Sequence, residues 1–220
     1  MDRKLVLVAV CVAGVAWSSI AGASDFMFGM EQGIVSADIK STFGPEQGKV
    51  RHSWTAASVD WRINKILMLN MAVGGMNSAV DTLPEMSAQD DKYLNYFATG
   101  LTLTQELDTG GGMLIGLSYN ASTVDWKGGS IGTKYRHQGT TFKIAYAFKQ
   151  AHEARPYTGL SYNTYASTLY NGSTAVSKHE YENRLNLVAG VRAQTESILG
   201  FVEATLGGEA AIKLGLEFGF

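Results

Sequence analysis

The feature that most constrains this chain is a polar–apolar alternation of period two that runs almost from end to end. Ile212, Leu214, Leu216, Phe218 and Phe220 alternate with Lys213, Gly215, Glu217 and Gly219. Leu185, Leu187, Ala189 and Val191 alternate with Arg184, Asn186, Val188, Gly190 and Arg192, and Phe142, Ile144, Tyr146 and Phe148 alternate with Lys143, Ala145, Ala147 and Lys149. A strand points successive side chains to opposite faces, so this pattern asks for extended chain with two different surroundings. No stretch after residue 23 repeats at the helical period. The expected class is all-β. Turn residues divide the chain into ten strands at about 30–42, 49–61, 66–78, 93–106, 113–125, 139–149, 157–169, 180–193, 199–206 and 211–220.

Connections expected at 62–65, 107–112, 150–156 and 194–198 are tight or fairly short; on the other side 79–92, 126–138 and 170–179 are longer and polar, while 43–48 and 207–210 are short. That is the signature of an antiparallel up-and-down meander. Two architectures satisfy it: a soluble sandwich or lipocalin-like barrel, and a transmembrane barrel. Length separates them, because ten to fourteen residues suits about 9–11 tilted residues across a bilayer, while five or six is usual in soluble sheets. Aromatics near the expected strand ends (Trp61, Tyr93, Trp126, Tyr157, Tyr170, Tyr181 and Phe220) fit the girdles of a membrane barrel. Ten strands are expected, with eight or twelve as the neighbouring solutions.

Residues 1–23 read as a secretory signal peptide: Arg3 and Lys4, an apolar stretch at 5–16, then Ala21, Gly22 and Ala23. Residues 24–220 are then the barrel domain. The single cysteine, Cys11, falls inside the signal, so no disulfide is expected. Charged residues make up 17% of the chain and the net charge is -2. Nucleic acid is therefore not expected as a partner.

The segment 211–220 (AIKLGLEFGF) resembles the C-terminal strand of Gram-negative outer-membrane β-barrel proteins. That resemblance implies a place in the cell outer membrane, contact with its lipid and lipopolysaccharide, and recognition of Phe218 and Phe220 by the barrel-assembly machinery. The segment 60–65 (DWRINK) resembles a periplasmic hairpin of such proteins, and 155–162 (RPYTGLSY) is similar to the strand entry of small barrels and autotransporter β-domains. Only residues 24–29 precede the first expected strand, so no passenger is expected.

Chemistry is sparse. Proteases of this family carry Asp-x-Asp and Asp-x-His pairs and its deacylases carry His-x-Ser; the sequence contains none of these. His52, His137, His152 and His179 are scattered, and neither a metal, a cofactor nor an enzymatic activity is expected. Alternation places Asp38, Glu106, Glu203 and Glu217 with Lys40, Lys143, Lys149, Arg184, Arg192 and Lys213 on the inward face, where opposite charges should pair. Arg184 and Arg192 are expected to reach Glu203, and Glu203 to reach Lys213. Filled by such side chains, the lumen is expected to be largely closed. Function then falls to the outward loops, with Lys134, Tyr135, Arg136 and Tyr170 exposed for surface interaction; a small pore for ions or amphipathic solutes is the alternative.

Overall fold

The computed structural model describes residues 26–44, 47–80, 93–108, 110–125, 134–149, 153–195 and 197–219. The expected signal peptide, Phe220 and most of the expected loops at 79–92 and 126–138 lie outside the described residues. Eleven strands follow in order: β1 (Phe26–Ser41), β2 (Gln47–Arg62), β3 (Leu67–Val80), β4 (Tyr93–Glu106), β5 (Gly112–Asp125), β6 (Lys134–Ala147), β7 (Ala154–Asn171), β8 (Thr174–Tyr181), β9 (Leu185–Gln194), β10 (Ile198–Gly207) and β11 (Glu209–Gly219).

All pair antiparallel with their neighbours, and β1 through β7 follow one another round the wall. The ring closes in two places. β11 pairs with β1 from Met27↔Gly219 to Ala37↔Glu209, and β8 pairs with β1 above that, from Ile39↔Tyr181 to Ser41↔His179. β7 in turn pairs with β9 over Ala154–Tyr162 and with β8 over Ala166–Asn171. At the end carrying the termini, β1–β7 are joined by β9, β10 and β11, which makes ten strands. At the opposite, loop end they are joined by β8 alone, which makes eight. The barrel therefore narrows towards its loop end.

This taper departs from the expectation. A single strand over 180–193 is interrupted at Glu182, Asn183 and Arg184, and residues 174–179, expected in a loop, form most of β8. The short hairpin of β10 and β11 causes the interruption. Its turn, Gly207–Gly208, ends below β8 and seats on the broken segment, where Gly208 donates to the Leu185 carbonyl at 3.1 Å. A Cβ on Gly208 would lie 2.2 Å from the Asn183 carbonyl oxygen, so only glycine fits there. The interruption is sealed by Glu182 N–H donating to Asp38 O (3.1 Å) and Asn163 N–H to Arg184 O (2.8 Å). Likewise, β6 starts at Lys134, inside the loop expected at 126–138.

The wall is inverted relative to a soluble barrel. Ile34, Leu187, Val202, Ile212, Leu214 and Leu216 all point outward and are about half exposed or more, as are Leu117 and Leu160. Such a continuous apolar exterior has no place in water, and it is the outer surface of a membrane-spanning barrel. Near the terminal end the outward rings Phe26 and Trp61 stack 5.6 Å apart and Tyr146 meets Phe148 edge-on at 5.2 Å, as an interfacial girdle does. Tyr157 and Tyr181, expected in the girdle, instead point inward and are buried.

An arginine scan should trace the height of the band. Leu187→Arg and Leu216→Arg, in the middle of the apolar wall, should each cost about 2–4 kcal/mol, and Thr168→Arg, outward but near the loop end, about 0–1 kcal/mol. Reversible unfolding in lipid vesicles measures all three, and an equal cost at Thr168 would refute the assigned band.

Candidate functional site

The barrel interior, as the described residues line it, has two zones. In the ten-stranded part the inward residues are polar. Lys213 on β11 donates to the Glu31 carboxylate of β1 at 2.8 Å. Lys143 on β6 reaches across to Glu203 on β10 at 2.6 Å, and the Tyr157 hydroxyl donates to the same Glu203 oxygen at 2.6 Å. Arg192 lies 3.8 Å from Asp60, which also accepts from Asn70 at 2.6 Å. Glu217 accepts from Ser58 at 2.9 Å, while its second oxygen and one oxygen of Glu31 are buried without a hydrogen-bond partner. At the terminal rim Arg155 grips Glu106 with both terminal guanidinium nitrogens, one of them at 2.8 Å, while its Nε donates to the Phe148 carbonyl at 3.1 Å.

Towards the loop end the inward residues turn apolar and aromatic. Tyr135, Ile39, Val50, Met76 and Leu169 are fully buried there. Tyr165 stacks on Tyr181 with centroids 4.6 Å apart and shares a 3.1 Å hydrogen bond with the Tyr135 hydroxyl, which also meets Ser78 at 3.4 Å. His52 and His137 touch edge to face at 4.7 Å, and His137 bonds Asn120 at 2.8 Å. Trp54 lies flat over Gly33, where a Cβ would fall 2.2 Å from its ring, and stacks on Tyr96. The reason is geometric: an eight-stranded ring is just filled by its own side chains. Between the zones remains a cavity of about 290 Å³ lined by Glu31, Trp54, Asn70, Tyr96, Lys143 and Tyr157 among others. At ~30 Å³ per water it has room for on the order of ten molecules.

The expected lumen residues divide. Lys143, Arg192, Glu203, Lys213 and Glu217 point inward, and Glu106 stands at the terminal rim with 63% of its side chain exposed. Asp38 and Lys40 do not point inward: both lie on the outer wall, and Asp38 faces Lys49 of β2 at 3.9 Å. Arg184 is also outside, bonded to Glu180 at 3.0 Å and to the Tyr162 hydroxyl. Lys149 lies in the exposed turn after β6. The pairing differs as well. Lys213 sits directly opposite Glu203 in register, yet its ammonium is bonded to Glu31, and Glu203 is taken from across the lumen by Lys143. Tyr135, expected on the exterior, is buried in the plug. Glu31 and Asp60 were not anticipated, because Glu31 shares its parity with Val35 and Ile39, which read as lipid-facing.

Among the described residues no group of three or more His, Cys, Asp and Glu side chains is placed to hold a metal ion. No family model and no curated protein sequence matches the chain. Among solved structures it is similar to the translocator domain of the autotransporter NalP from Neisseria meningitidis, with TM-score 0.46, 10% identity, and 99% of this chain against 96% of that chain. It is also similar to the transport unit of the Escherichia coli autotransporter AIDA-I, with TM-score 0.47, 12% identity, and 89% against 90%. The attachment invasion locus protein Ail of Yersinia pestis is similar with TM-score 0.37, 9% identity, and 89% against 97%.

The two kinds of ion pair should separate on mutation. Lys213→Met strands a Glu31 carboxylate whose side chain is only 2% exposed, so it should cost about 3–5 kcal/mol. Glu106→Gln breaks a pair at the exposed rim and should cost under about 1 kcal/mol. The double variant Glu31→Gln/Lys213→Met should regain most of the first loss. Urea unfolding of the refolded protein in vesicles reads all three.

Proposed function

We propose that the chain is an outer-membrane β-barrel with a shut lumen, which serves as a scaffold for surface interaction or membrane stabilisation. The observation that carries this reading is the plug. Tyr135, Tyr165, Tyr181, Ile39, Val50, Met76 and Leu169 pack together towards the end where β8 replaces the last hairpin, and the buried carboxylate of Glu209 beside them is held by Asn163 and Tyr181. Export by residues 1–23, and recognition of Phe218 and Phe220 by the barrel-assembly machinery, belong to the same reading. Phe218 points outward in the last described strand, 43% exposed, as a lipid-facing terminal aromatic would.

A second reading, a small pore, is favoured by the roomy cavity lined by charged residues in the wider zone. Planar-bilayer recording decides between them. The wild-type protein should give no stable open state of general-porin conductance, whereas Tyr135→Ala/Tyr165→Ala/Tyr181→Ala should conduct. A stable wild-type conductance of porin size refutes the closed scaffold and establishes the pore.

A further inference from the structure

The outer wall carries its charges at one end only. No outward side chain described in the terminal half of the strands is charged, while seven cations point outward at the loop end: Lys40, Lys49, Arg51, Lys134, Arg136, Lys178 and Arg184. Three carboxylates accompany them among the described side chains: Asp38, Glu180 and Glu182. The cations begin just where the apolar band stops, which is the level of lipid headgroups on that side.

Four of them surround one stretch of wall. Arg136, Thr168 and Lys178 occupy one row across β6, β7 and β8. The row below it runs Gln138, Ala166, Glu180 and Lys40, crossing onto β1. Arg184 rises to this second row, where Glu180 holds both Arg184 and Lys178 at 3.0 Å. Strands lie about 4.8 Å apart, so Arg136 and Lys178 stand roughly 10 Å apart. Beside them the wall is hollowed into a groove of about 280 Å³, lined by Tyr119, Gln138, Thr140, Thr164, Glu180 and Arg184. Its lower edge continues into the apolar wall at Phe142, Ile144 and Leu160.

We infer that this groove binds the headgroup of a phosphorylated glycolipid of the surrounding leaflet. Arg136, Lys178, Arg184 and Lys40 take the phosphates, and the acyl chains lie along Phe142, Ile144 and Leu160. Three features of the wall select that occupant. Arginine and lysine in excess over carboxylate match a polyanion, and guanidinium matches phosphate two bonds at a time. Uncharged Gln138, Thr140 and Thr164 supply hydrogen bonds to sugar hydroxyls and amides. The apolar wall directly beneath leaves the tails no need to depart from the bilayer. The carboxylate inside the ring of cations, Glu180, bridges Lys178 and Arg184 in the absence of phosphate. This inference rests on the membrane-barrel reading and is independent of whether the lumen conducts.

The test uses the refolded, delipidated full chain in detergent and purified hexa-acylated bisphosphoryl lipid A, with binding counted by native mass spectrometry. At roughly 1 kcal/mol per basic residue near an anionic surface, Arg136→Ala/Lys178→Ala/Arg184→Ala should weaken binding about 100-fold. Lys65→Ala/Lys149→Ala, which removes charge from the opposite end, should leave it unchanged, and enzymatically dephosphorylated lipid A should bind wild-type protein as weakly as lipid A binds the triple variant. Equal binding by the triple variant, equal binding of the dephosphorylated lipid, or an equal loss in the Lys65/Lys149 variant each overturns the site. Heat-modifiable migration of every variant reports folding; where the triple variant fails it, Arg136→Gln/Lys178→Gln takes its place with an expected loss of at least tenfold.

Discussion

Inside a bilayer a backbone N–H or C=O has only another backbone group to pair with, so a wall of strands must return to its own first edge. Everything else in this barrel follows from how that return is made. β1 is longer than the last hairpin, and β11 runs out of partners at Ala37. The upper part of β1 would be left bare without β8, which arrives from the β7 side to cover it. Closing one long edge with two shorter strands forces the change from ten strands to eight. The change in strand number sets the width of the lumen, and the width decides what fills it: ion pairs around a cavity where there is room, packed rings where there is not.

The polarity of the wall obeys the same geometry. In the terminal half the apolar parity points to lipid and the polar parity to the lumen; near the loop end the relation reverses. On β7, Leu160 and Tyr162 face out, but Tyr165 and Leu169 face in. On β6, Phe142 and Ile144 face out, while Tyr135 and His137 face in. No slip in pairing accompanies the reversal on either strand across these residues. The surroundings exchange roles, because above the lipid the outside is wet and the inside is plugged.

That reversal explains what was legible in the sequence and what was not. Period two carried the strand class and strand length the membrane barrel, and alternation put Lys143, Arg192, Glu203, Lys213 and Glu217 on the inward face, though it left out Glu31 and Asp60. It misassigned Asp38, Lys40 and Arg184, since a polar residue near the loop end looks lumenal by extrapolation from below. Tyr135 was expected exposed in the loop at 126–138, but β6 begins at Lys134 and its first inward position carries that ring into the plug. Which cation meets which carboxylate was also out of reach: Glu203 is met by a chord across the lumen from Lys143, which a list of neighbouring strands does not contain, and Lys213 turns to Glu31 across the closing β1–β11 seam rather than to Glu203 directly opposite it. The interruption at Asn183 carries a local mark, the Gly207–Gly208 turn, but its consequence depends on where that hairpin lands.

The upper seam has a further consequence for how the molecule moves. Between β1 and β8 only Ile39, Lys40 and Ser41 are in register, with Thr42 donating to Lys178 and Glu182 to Asp38 beyond them. The seam between β1 and β11 runs through eleven positions. A cylinder joined so unevenly yields first at its short weld. Thermal opening would begin as a slit between β1 and β8 at the level of the headgroups, while the terminal half stays shut, so the stacked Tyr165 and Tyr181 would meet water before any ion pair below them is disturbed.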